Sequence, residues 1–504
     1  MPNFKQMPMA PTQLLMFPRS LDDSIPQDSD VRALSEAMDL LDTCALESGY
    51  RERGCPAYPP MVLAKILVYG YSKGIRSSRA LEDTVKNDKR FIWLAGGLQP
   101  DHCTIARFRK QKEAGLKGIY KSTVRVCMQA GLVLLNTTST DGTKIPARAS
   151  KKSLYDTKRI EKVEKAIDQI FREAEEIDKL EDEQYGSSSG GTVPTELADA
   201  KKRKEKLRKI AENLEKSRRK NVSSTDSECR VMKTTAGLRP GYNVQATVDS
   251  ANLVIVAADV TNSENDYGQL AGQLAQVAEN TGCKTDLSLA DTGYSDQETL
   301  KELAASGQEA LIPSTEQSSQ KDRNNLFASR CFLKAEDRNA LICPAGRELT
   351  YRRDVNNHGK RYLVYTAENC RSCSFYGQCV NVSCKTGRSV QIGVVSDERA
   401  KMTERLKTSE GKALYDLRKQ TVEPTFGNMK WNMGFTRFSL HGKDGAKSET
   451  WLMCTAHNLK ILVSRVRRAS LTDILPCFTA TLGVRIAKWT AMWHPTHQVA
   501  NIAA

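Results

Sequence analysis

The order in which strand-like and helical runs follow one another constrains this chain most. Residues 132–145 are apolar and then threonine-rich, which predicts a first strand that Asp141-Gly142 breaks. Residues 242–249 and 253–258 read as a buried hairpin pair, and 270–278 as a helix. Residues 284–291 form another strand candidate ending in Ala290-Asp291-Thr292-Gly293. A helix after Asp296, a short strand at 310–313 and a helix over 415–430 complete the series. An antiparallel start followed by strand–helix alternation predicts a mixed α/β core built from residues 132–155, 222–313 and 396–468.

Two interruptions split that core. In residues 156–221, Ile160, Val163, Ile167, Ile170, Ala174 and Ile177 recur by threes and fours, as do Leu207, Ile210 and Leu214. With a Gly- and Ser-rich link at 186–191 between them, they predict a helical-hairpin insertion. Its second arm carries Lys201, Lys202, Arg203, Lys204, Lys206, Arg208 and Lys209, either as a solvated face or as a DNA-backbone contact. Residues 314–395 form a Cys-rich insertion. Cys343, Cys370, Cys373 and Cys379 are one set that closes a structural zinc site, with Cys331, Cys384 and His358 as rival ligands. The other reading is that these are free buried cysteines.

Upstream, residues 1–30 read as an extended arm and 31–131 as a helical domain. Leu34, Met38, Leu41 and Ala45 make one apolar stripe, and Pro59-Pro60 opens a further helix. The basic run Thr104–Lys112, with Arg107 and Arg109, is either the last helix of a DNA-binding helix-turn-helix or the wet face of a bundle. Residues 469–504 form a tail with Trp489 and Trp493. Lys and Arg number 75 against 60 Asp and Glu, a net charge of +15, which favours a polyanionic partner, nucleic acid before membrane. No apolar run is long enough to span a bilayer. Fourteen cysteines without a secretory leader point to the reducing cytosol.

Charges in the 415–430 helix are unevenly placed. At about 100° per residue Lys419, Glu423 and Lys430 fall within roughly 40° of each other, with Tyr415 close by and Arg418 flanking. That is how a metal-binding carboxylate with phosphate-gripping neighbours looks; an exposed helix with a Lys–Glu pair looks the same. Asp141-Gly142 likewise has an ordinary reading as a hairpin turn. Taken together, Asp141, Asp291 and Glu423 are two strand-end aspartates and a helix glutamate, a set suited to two Mg²⁺ (or Mn²⁺) ions in phosphoryl transfer.

Several stretches carry a family resemblance. They are residues 58–71, 74–79 and 100–109 in the helical part, then Thr140-Asp141-Gly142-Thr143, Gly241-Tyr-Asn-Val-Gln245, Ala290-Asp291-Thr-Gly-Tyr294 and Val422-Glu423-Pro-Thr-Phe-Gly427. In this order they resemble the DDE-type transposases of bacterial insertion sequences with an InsH-like helical N-terminal domain. The resemblance implies a helical DNA-binding domain and an RNase H-like catalytic core; with the helical-hairpin insertion and the Cys-rich, zinc-ribbon-like one read above, the expected chain is α+β and multidomain. It implies Asp141, Asp291 and Glu423 as the metal-binding triad, and Tyr415, Arg418, Lys419 and Lys430 as contacts to DNA phosphates. Arg418 lies one residue out of the usual register with Glu423, which Lys419 keeps instead. The implied activity is cleavage at the element's ends and transfer of the freed 3′-OH into target DNA. A homodimer that holds two ends, working in the cytoplasm on nucleoid DNA, is the implied partner arrangement. A non-catalytic, domesticated DNA-binding relative is the alternative. Asp291-Thr-Gly also matches an aspartic-protease tripeptide, but Asp141-Gly-Thr has the wrong order and the chain is helix-rich.

Overall fold

A computed structural model describes residues 20–50, 56–185, 195–313, 326–335, 338–357, 360–381, 387–393 and 397–468. The arm as far as residue 19, the link at 186–191, His358, Cys384 and the tail from 469 with Trp489 and Trp493 lie outside the described residues. Residues 20–30 are packed rather than extended. Ile25 is buried, and Asp22 accepts hydrogen bonds from Arg32 and from Trp93 Nε1.

The central sheet contains β1 (Thr137–Pro146), β4 (Arg230–Thr234), β5 (Gly237–Asp249), β6 (Ile255–Thr261), β7 (Leu287–Ala290) and β8 (Glu309–Leu311). A separate short pair, β2 (Leu154–Tyr155) and β3 (Val222–Ser223), closes the base of the first insertion. The sheet order is β4-β5-β1-β7-β8, with β6 also on β5. β5 is antiparallel to both β1 and β6, while β7 and β8 run parallel to β1. Parallel neighbours need crossovers, and the Leu270–Thr281 and Gln297–Ser306 helices supply them. Both end at a left-handed glycine, Gly282 and Gly307, and Asp296 caps the second by accepting from Thr299 N at 2.9 Å.

One expectation needs correction. Asp141-Gly142 does not break β1, which continues to Pro146 because β5 pairs with it along its whole length, Asp141 opposite Ala246 and Gly142 opposite Gln245. The strand also begins later than residue 132, since the backbone is left-handed at Leu135.

Among the described residues seven α-helices precede β1, from Asp30–Asp39 to Glu113–Gln129, and the Gly442–Arg468 helix packs against several of them and against β6. Leu63, Leu67, Tyr120, Val124, Val256, Trp451 and Leu459 belong to one continuous buried core. The first insertion is a pair of packed helices, Thr157–Tyr185 and Thr195–Ser217. Ile160, Ile167, Leu207, Ile210 and Leu214 are buried there, while Ile170 and Ile177 stay exposed. Its lysines and arginines lie on the outer face, where Lys204 pairs with Asp168 and Arg208 with Glu212. The second insertion is an antiparallel sheet of β9 (Leu333–Lys334), β10 (Ala340–Ile342), β11 (Glu348–Asn357), β12 (Lys360–Ala367) and β13 (Ser389–Gly393), in the order β13-β12-β11-β10-β9. Among the described residues no helix is long and apolar enough to cross a membrane.

Candidate active site

The last registered pair between β1 and β7 is Thr140 with Ala290. The next residues, Asp141 and Asp291, are therefore side by side at the level where the parallel pairing stops. The Ser409–Gly427 helix lies over both strands. From it Arg418, 8% exposed, donates through Nη1 to Asp141 Oδ2 at 3.1 Å. Burial pushes the Asp141 carboxyl up to about 6; Arg418 and the Gly142 amide oppose the rise, and the neighbouring charges of Asp291 and Asp266 add to it. Burial works against the Arg418 charge too, but Tyr415, Asp141 and Asp291 outweigh it and hold its pKa above the usual arginine value. Burial raises Tyr415 and lowers Lys430, with Asp141 pulling Lys430 back up.

Asp266 escaped the sequence reading. It lies in the loop after β6, and its Oδ1 accepts from Asn243 Nδ2 and Gln245 Nε2, both at 2.7 Å. The signal was present: Asn243 and Gln245 alternate with apolar residues on a strand that is buried from Pro240 onward, and buried amides require partners. Asp266 also explains Gly142. A Cβ there would lie 2.4 Å from Asp266 Oδ1 and 2.5 Å from Gln245 Nε2. Tyr294 donates to Gln245 Oε1, so the motif residues Asn243, Gln245 and Tyr294 form one polar shelf beside Asp141 and Asp291.

Glu423 stands apart. It is exposed, and its carboxylate makes no hydrogen bond or ion pair among the described residues. The ideal helical phase grouped Lys419, Glu423 and Lys430. The buried face instead holds Arg418, Val422 and Phe426, and Lys419 points to solvent. Pro424 lies inside the helix, and the π turn Asn428–Asn432 follows, which shifts the phase and brings Lys430 under the influence of Asp141. Among the described residues no three His, Cys, Asp or Glu side chains are gathered tightly enough to hold one ion.

The two arginines of the basic N-terminal helix part company. Arg107 is exposed. Arg109 is not available to phosphate: it is 3% exposed and donates to Tyr71 Oη and Arg76 O, each at 2.9 Å, and to Ser78 Oγ at 3.3 Å. Cys343, Cys370, Cys373 and Cys379 line a single cavity in the second insertion.

Comparisons with known proteins give the following. Residues 342–463 match a family model described as "Transposase DDE domain", and residues 19–111 match one described as "Transposase domain (DUF772)". The first contains Glu423 and the four cysteines but neither Asp141 nor Asp291. No curated protein matches. A solved structure of a piggyBac transposase synaptic complex with hairpin DNA is similar at 12% identity, with a TM-score of 0.29, over 94% of this chain and 84% of that one.

Proposed function

This chain is a DNA transposase of the DDE class, of the kind found in insertion sequences, and from that premise we propose that Asp141, Asp291 and Glu423 are its catalytic carboxylates on an RNase H-like core. What supports this reading is the register of β1 and β7, which sets Asp141 beside Asp291 beneath the helix that carries Glu423. The strand order β6-β5-β1-β7-β8, with three antiparallel strands and two parallel additions, supports the choice of core. Nothing in the comparisons favours the non-catalytic alternative.

The donor set suits a hard divalent cation. Asp141, Asp291 and Asp266 crowd their charges into a half-buried place where Arg418 is the nearest counter-charge, and oxygen ligands select Mg²⁺ or Mn²⁺. Two such ions, when bound, supply Lewis-acid charge to attacking and leaving oxygens in phosphoryl transfer. Asp141 and Asp291 would hold them, with Glu423 completing the set from the helix. Arg418 holds Asp141 in place; Arg418, Lys430 and the exposed Lys419 offer cations to the DNA backbone, with Tyr415 packed beside Arg418.

In the first step a water oxygen attacks phosphorus at the element's end, the bond to the 3′ oxygen breaks, and a free 3′-OH remains. That hydroxyl then attacks a phosphorus of target DNA; one phosphodiester forms as another breaks, without a covalent protein intermediate. Arg107 and the basic outer face of the first insertion are the proposed contacts to double-stranded DNA, and a homodimer the proposed way of holding two ends. Asp141→Asn, Asp291→Asn and Glu423→Gln should each reduce Mg²⁺-dependent nicking of end-containing DNA by more than about 100-fold while a gel shift with the same DNA persists. Near-normal nicking by any one of them removes that residue from the site.

A further inference from the structure

Three turns of the second insertion meet around a cavity of about 30 Å³. Cys343 comes from the turn between β10 and β11, Cys370 and Cys373 from the 3₁₀ turn after β12, and Cys379 from the segment leading to β13. Two of the four sulfurs already accept hydrogen bonds from backbone amides. The Arg347 amide donates to Cys343 Sγ and the Arg388 amide to Cys370 Sγ, each at 3.3 Å, and N–H donors strengthen as their acceptor gains charge.

The two arginines also hold the turns together. Arg347 Nη1 donates to Asn369 O at 2.6 Å and its Nη2 to Ser372 O at 2.7 Å, which ties the Cys343 turn to the Cys370–Cys373 turn. Arg388 donates to Cys379 O at 3.2 Å and to Phe327 O at 3.0 Å. Neither guanidinium has a carboxylate partner among the described residues. Four thiolates around one dication leave two net negative charges, and two unpaired guanidinium groups match them.

The module needs a cross-link on other grounds. Among the described residues its buried hydrophobic cluster comprises six side chains, Phe332, Leu341, Leu349, Tyr365, Ala367 and Val390, few for a five-stranded sheet to rest on unaided. Cys343, Cys370 and Cys379 pack against that cluster. Cys331 is not among the cavity's lining residues.

We propose that Cys343, Cys370, Cys373 and Cys379 bind one structural Zn²⁺ that staples the three turns. The thiols line the cavity without yet converging on a point, so binding requires them to turn inward. Four sulfurs leave no open position, so the ion takes no part in phosphoryl transfer.

The test is the metal content of the full chain purified from zinc-supplemented cells. About one zinc per chain is expected, released as a mercurial titrates four thiols, and Co²⁺ exchange should give the visible bands of a tetrahedral tetrathiolate. The Cys370→Ser/Cys373→Ser double variant should lose the zinc, whereas Cys283→Ser, at an exposed thiol elsewhere, should keep it. If the double variant fails to fold, the mercurial titration of the unaltered chain decides. A cooperatively folded chain without zinc, a disulfide between any two of the four, or full zinc in a folded double variant would each overturn the assignment.

Discussion

Asp141 carries two demands that pull against each other. Its carboxyl titrates near 6 in the folded chain, against an ordinary value of 3.8, chiefly because it is buried. Across that interval the native chain binds more protons than the unfolded chain, so the stability this group contributes is greatest at acid pH and is lost as pH rises through 6. A shift of about two units corresponds to roughly 3 kcal/mol, a ceiling because the side chain remains 24% exposed. An asparagine keeps an acceptor for Arg418 and removes the charge. Without added metal, Asp141→Asn should therefore gain thermal stability relative to the unaltered chain between about pH 4 and about pH 7. Melting curves at several pH values check this, and a difference that shrinks or stays flat as pH rises would refute it. Asp141 and Asp291 were legible because strand-like runs lead into both. Arg109 was misread because charge in a helix does not say which face is buried; Tyr71, Arg76 and Ser78, from other parts of the chain, take its donors. Asp266 lacked any local signal, and only its partners on β5 betray it.

At the level of elements, the Gly442–Arg468 helix is buried at every residue from Trp451 to Leu459. Periodicity reports one apolar stripe; it cannot report that a helix is covered on two sides, here by β6 and by the Pro60–Ser72 and Glu113–Gln129 helices. Buried polar groups on the helices serve the sheet. Asn458, fully buried, accepts from Ile255 N at 2.9 Å and donates to Ile255 O at 3.0 Å. Trp451 Nε1 donates to Ala258 O at 3.1 Å, and Asn280 Nδ2 to Val256 O at 2.8 Å. These side chains satisfy the outer strand β6 and keep it from pairing with another chain. Asn458→Leu strands the buried Ile255 N–H, while Ile255 O keeps the Tyr120 hydroxyl, and should cost about 1–3 kcal/mol in urea unfolding. A loss below about 1 kcal/mol would mean that the strand edge finds other partners.

Over the whole molecule, the N-terminal helices read as a domain of their own, whereas their buried residues continue into the core under the sheet. A polar lock crosses the same boundary. Arg76 donates to Gly434 O at 2.6 Å, to Arg437 O and to Glu449 Oε2 at 3.0 Å, and it lies over the Phe435 ring. Glu449 is fully buried and also accepts from Ser439 N at 2.9 Å and Leu440 N at 2.5 Å. Removing one member of a buried pair leaves the other uncompensated, so Arg76→Ala and Glu449→Ala should each cost roughly 3–5 kcal/mol. The double variant should cost clearly less than the two added together, since each single change already breaks the shared lock. Residues far apart in sequence thus meet in one cooperative unit, and no window of the sequence contains both halves. The stronger consequence concerns truncation. A chain beginning at residue 132 would expose Val256, Trp451 and Leu459 where the Pro60–Ser72 and Glu113–Gln129 helices now cover the Gly442–Arg468 helix and β6. It should lack a cooperative thermal transition and bind a hydrophobic dye. Should it instead melt as sharply as the full chain, the two parts fold independently, and the Arg76–Glu449 lock only orients one against the other.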